Sequence, residues 1–122
     1  MKLAAGVVVV LIAALHFYFL VLEMFLWQTP FGMRTFGTTP EVAASSAVLA
    51  ANQGLYNGFL AAGLLWALIS FGVTGGRAII TFFLLCVVVA GVYGGATAKF
   101  SILFVQAVPA LVALALVRAS RG

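Results

Sequence analysis

The sequence predicts an all-α integral membrane protein, a four-helix bundle with N and C termini cytoplasmic. Three observations predict it. The 122 residues are 66% hydrophobic and only 7% charged, whereas a soluble domain carries about 25% charged residues. The apolar residues gather into long runs separated by short polar breaks. The six Lys and Arg residues fall singly, at or near the ends of those runs. A surface this apolar needs an apolar solvent, and a bilayer supplies one. The scattered cations argue against nucleic acid as a partner despite the formal charge of +4, because no basic run exists for a phosphate backbone to follow. At this length one transmembrane domain, residues 1–122, is expected.

A hydrocarbon core about 30 Å thick takes roughly 20 residues of helix. Helices are expected at about 3–27, 40–71, 78–96 and 100–117. The first, from Leu3 to about Trp27, is too long for a signal-peptide core and is followed by no small-residue cleavage site. Gln28 to Thr39 holds Pro30, Gly32, Arg34 and Gly37 and reads as a loop, which Phe31, Met33 and Phe36 lay on the membrane surface. The second helix has a clear start. Thr39 caps it, Pro40 takes the first helical position, and Glu41 sits where the helix dipole favours an anion. Gly72, Gly75 and Gly76 then make a turn with Arg77. The fourth helix contains Pro109, which frees a backbone carbonyl and kinks a helix.

Lys2, Arg77, Arg118 and Arg121 fall on one side of this arrangement, and Arg34 and Lys99 on the other. Four cations against two place both ends in the cytoplasm. Gly54 and Gly58, with Ala62 a turn further, and Gly91 with Gly95 have the spacing that lets membrane helices approach closely. Cys86, the one cysteine, lies in an apolar run and is expected to act as a small hydrophobe.

Polar side chains inside apolar helices are penalised, so each requires a reason. His16, Glu23 and Trp27 are seven and four residues apart, and at about 100° per residue they share one face. A carboxylate at that depth must be paired, solvated in a cavity, or protonated. The second helix carries Asn52, Gln53, Tyr56 and Asn57, a heavy polar load for six residues. Tyr93 and Gln106 lie in the outer halves of the third and fourth helices. Counting inward at about 1.5 Å per residue puts His16 level with Asn52 and Gln53, and Glu23 level with Ser45 and Ser46. Lys99 at the rim is placed to reach down toward Glu23. The polar groups thus point to one outward-leaning cavity.

In that cavity His16 and Glu23 are the candidate catalytic pair, exchanging protons with a lipophilic or amphipathic ligand. Trp27, Asn52, Gln53, Tyr56, Asn57, Tyr93 and Gln106 are candidate ligand-binding residues. Isomerase-like chemistry needs only such an exchange. Two alternatives stay open: a proton-coupled transporter, expected as a homodimer because four short helices enclose little, and an accessory subunit of a larger membrane complex. Asn and Gln taken singly also serve as hydrogen-bonding glue between helices. The sequence holds no nucleotide loop, no zinc-spaced Cys/His cluster and no nucleophile–histidine–acid set, so no metal is expected. The cofactor stays unknown: a haem needs an axial ligand, and His16, the sole histidine, leaves one-histidine ligation open with nothing to support it.

The run His-Phe-Tyr-Phe-Leu-Val-Leu-Glu-Met-Phe-Leu-Trp at His16 to Trp27, then Thr-Pro, then Asn-Gln-Gly-Leu-Tyr-Asn-Gly at Asn52 to Gly58, resembles a family of small bacterial membrane proteins, domain of unknown function 1304. The resemblance covers nearly the whole chain. It implies a bacterial inner-membrane protein and marks His16, Glu23, Trp27, Asn52, Gln53, Tyr56 and Asn57 as motif positions. It implies no substrate.

Overall fold

Each apolar run becomes helix in the computed structural model, which describes residues 1–120. Arg121, counted above among the cytoplasmic cations, lies outside the described residues. The elements are α1 (Lys2–Met24), α2 (Pro30–Phe36), α3 (Pro40–Gly75), α4 (Arg77–Thr97), a π-helical turn (Leu103–Ala107) and α5 (Val108–Ala119). No strand occurs among the described residues. Helices α1, α3 and α4 are long and apolar enough to cross a membrane, and Leu103–Ala119 forms a shorter apolar helix.

The structure departs from the expected elements at three places. Residues 28–39, expected as a loop, contain α2. The Thr29 side chain caps it by accepting from the Gly32 N–H at 3.1 Å, Pro30 opens it, and Gly37 ends it in the left-handed region at φ 68°. These helix start and stop signals, from Thr29 to Gly37, crowd so closely that their composition resembles a loop. Second, α1 stops at Met24 rather than Trp27. The Leu26 N–H reaches back five residues to the Val21 carbonyl, and Thr29 Oγ1 donates to the Leu26 carbonyl at 2.6 Å, which turns the chain. Third, a π turn precedes α5. Pro109 has no N–H, and its ring crowds the carbonyl four residues back, that of Val105. The Val108 N–H instead bonds the Leu103 carbonyl, five residues back, which widens the turn. By contrast, α3 keeps helical geometry to Phe71 as expected. Gly72 then breaks it with φ 72° and ψ 179°, a conformation essentially confined to glycine.

The chain divides into two compact units, Met1–Ala13 with the chain from Ala62 onward, and Ala14–Ala61. The first holds a core of Leu64, Ile80, Leu84, Val87, Ala110 and Val117, all fully buried. There α4 lies antiparallel to the π turn and α5. A Cβ on Gly91 would stand 2.6 Å from the Ala107 backbone nitrogen, and one on Gly95 would stand 2.9 Å from Leu103 Cβ. The glycines are therefore close-approach points. The second unit contains the C-terminal half of α1, α2 and the first half of α3.

Candidate functional site

Within Ala14–Ala61, α1 and α3 run antiparallel. Glycine at 54 sets their separation. A Cβ there would stand 2.9 Å from Met24 Cγ and 3.0 Å from Glu23 Cβ, and one on Gly58 would stand 2.5 Å from Leu20 Cδ1. Bare backbone at these points brings the two helices close enough for short side chains to meet. Glu23 and Asn57 do so. Asn57 Nδ2 donates to Glu23 Oε1 at 2.5 Å, with Glu23 6% and Asn57 8% exposed.

An amide offers a hydrogen bond but no charge. Glu23 has no ion pair among the described residues. The pair is therefore a buried carboxyl group held by a neutral donor.

Two further side chains of α1 and its turn flank the pair. His16 is fully buried, two helical turns along α1 from Glu23, with its ring edge-on to Phe19 at 5.4 Å. Trp27 is half-buried. Its Nε1 donates to both the Ala43 carbonyl and Ser46 Oγ, each at 3.1 Å, and its ring lies 4.8 Å from that of Phe36 on α2. The indole thereby ties the end of α1, α2 and the first turns of α3 together. Ser46 Oγ donates in turn to the Val42 carbonyl at 2.6 Å.

Glu23, not His16, is level with the polar segment of α3. It meets Gly54 and Asn57 rather than Ser45 and Ser46, which lie nearer Trp27. Counting at helical rise assumed that helix continues to Trp27. Residues 25–29 are instead a turn, so the level of Trp27 against α3 does not carry to Glu23 at helical rise.

Of the four polar residues on α3, one reaches the site. Asn52, Gln53 and Tyr56 are exposed, and Tyr56, 60% exposed, stacks edge-on with Phe59 at 5.6 Å. Neither Asn52 nor Gln53 makes a side-chain hydrogen bond among the described residues. Tyr93 and Gln106 belong to the other unit. There Tyr93 lines a shallow apolar groove of about 610 Å³ with Phe82, Leu85, Cys86, Val89 and Ala90, and Gln106 is half-buried in the π turn. Sequence reasoning did not single out Ser46 as the partner of Trp27, nor Arg77 and Arg118 as lining one cavity.

A family model with the description "Protein of unknown function (DUF1304)" matches residues 10–118 of the chain. No curated protein and no solved structure is similar enough to match.

Proposed function

The chain belongs to this family of unknown function, DUF1304, and we propose that it is a small multi-pass protein of the bacterial cytoplasmic membrane whose Glu23–Asn57 pair is a proton-exchanging site for a lipophilic or amphipathic molecule. The observation that carries this reading is a buried carboxyl, hydrogen-bonded by one amide, inside a helix apolar enough for lipid. A structural contact needs no ionisable group there, and ionisable groups in spanning helices serve proton or ligand traffic as a rule. His16 extends the site along the same face of α1.

In this reading α1, α3, α4 and the helix ending in α5 make four crossings. The last is helical from Ser101 to Ala119, roughly 28 Å at 1.5 Å per residue, which nearly spans a 30 Å core. Lys2, Arg77 and Arg118 face the cytoplasm, and Arg34 and Lys99 face outward.

A hydrophobic carbodiimide tests the site without knowledge of the ligand, because it reaches carboxyl groups from lipid and reacts with their protonated form. Protein in vesicles is expected to take one adduct that peptide mapping places on Glu23. Labelling is expected to fall as pH rises and to vanish in Glu23→Gln. Labelling of Glu41 or the C-terminus alone would refute the reading.

One observation favours a second reading, association with another membrane chain. Asn52, Gln53 and Tyr56 present polar groups on the exposed side of α3 among Val48, Leu49, Leu55 and Phe59. Amides in that setting hydrogen-bond neighbouring helices. Unaltered migration of the purified protein in native gels after Asn52→Leu and Gln53→Leu would count against it.

A further inference from the structure

The beginning of α4 and the end of α5 form a cavity of about 640 Å³ lined by Arg77, Thr81, Arg118 and Ala119. All four residues belong to one compact unit. Arg77 opens α4, and Thr81 follows one turn later on the same side. Arg118 and Ala119 close α5.

Two guanidinium groups beside one cavity repel each other unless an anion joins them. The chain has only two acidic side chains, Glu23 and Glu41. Both belong to the other unit, and no ion pair reaches either arginine among the described residues. Arg77 is held in place. Its Nη2 donates to the Ser120 carbonyl, and Ser120 is fixed at the end of α5 by its own Oγ donating to the Leu116 carbonyl at 2.7 Å. Yet Arg77 Nε is buried with no acceptor among the described residues. A buried N–H on a charged group demands a partner. The arrangement therefore has an anchored guanidinium, a second guanidinium, a hydroxyl and room for a guest.

We propose that this cavity binds a phosphate ester anion through Arg77 and Arg118, with Thr81 Oγ1 as a further hydrogen-bonding group. Guanidinium donors match phosphate oxygens two at a time, which an ammonium does not. With the chain in a bilayer, the nearest such anion is the headgroup phosphate of an anionic lipid. Basic pockets between helices at the cytoplasmic surface suit that headgroup. The lipid source rests on the membrane reading above, whereas the phosphate chemistry rests only on the cavity.

Native mass spectrometry of the full chain released from micelles tests the proposal, with phosphatidylglycerol, phosphatidylcholine and inorganic phosphate as probes. Phosphatidylglycerol is expected to be retained at least tenfold over phosphatidylcholine. Inorganic phosphate competing it away would support the same cavity with a soluble phosphate as its natural guest. Arg118→Lys and Arg77→Lys keep charge and orientation in the membrane but remove the fork, and each is expected to weaken retention several-fold. Lys2→Gln and Arg34→Gln serve as charge controls and are expected to leave retention unchanged. Equal loss in the controls, or equal retention in the arginine variants with helical content intact, would overturn the proposal. Carbodiimide labelling of Glu23 reads a different residue, so failure of either proposal leaves the other standing.

Discussion

Asn57 and Asn52 differ by five residues and by everything that matters for the site. Both are amides in one polar run, but only Asn57 is in phase with the buried side of α3, three residues after Gly54 and four before Ala61. Asn52, Gln53 and Tyr56 are out of phase and exposed. Composition alone ranked the four equally. The phase of the glycines would have separated them, because Gly54 and Gly58 mark the side of α3 that touches α1. Glu23 was legible for a different reason: a carboxyl in an apolar run is conspicuous wherever the helix faces.

The Glu23–Asn57 bond also fixes what substitution does. Asn57→Leu removes the donor and leaves the carboxyl alone, and is expected to lower stability by about 1–2 kcal/mol, the upper range for polar contacts between membrane helices. Glu23→Leu strands the amide and is expected to lower it similarly. Glu23→Gln retains an acceptor oxygen and is expected to lower it by less than half as much. Reversible unfolding in mixed micelles measures the three. Equal loss in all three variants would show that the hydrogen bond is not what holds the pair.

At the scale of elements, hydropathy located the helices well and their ends poorly. Apolar length is summed over twenty residues, so it survives local error. Ends depend on single hydrogen bonds. Helix α1 stops where the Leu26 N–H reaches five residues back, and α2 exists because Thr29 caps it. Neither event changes hydropathy.

Pro109 predicts a kink, and the structure has a wide turn of five residues ahead of it. Pro109→Ala supplies an N–H and removes the ring, so regular four-residue bonding becomes available. Backbone amide exchange at Val105 to Val108 is expected to slow several-fold in this variant. Unchanged exchange would assign the wide turn instead to the close packing of Gly91 and Gly95 against Ala107 and Leu103.

At the scale of the whole molecule, the paucity of charge selects lipid as the solvent, and in the proposed reading the few charges present select the orientation. With Cys86→Ser as background, single cysteines at Thr38 and Thr97 are expected to react with an impermeant maleimide added outside cells. A cysteine at Thr74 is expected to react only after lysis. Reaction at Thr74 with Thr38 and Thr97 protected would invert the orientation. It would also move the arginine cavity away from the cytoplasmic leaflet while leaving Glu23 in its helix. The central claim is that Glu23, held by Asn57 between two apolar helices, exchanges a proton. Its most direct test is pH-difference infrared spectroscopy of the protein in vesicles, reading the carbonyl stretch of a protonated carboxyl group. The account expects a pH-dependent carboxyl band that is absent in Glu23→Gln and shifted in frequency in Asn57→Leu, where the hydrogen bond to the carboxyl is gone. A spectrum in which Glu23→Gln removes no band at any pH would contradict it.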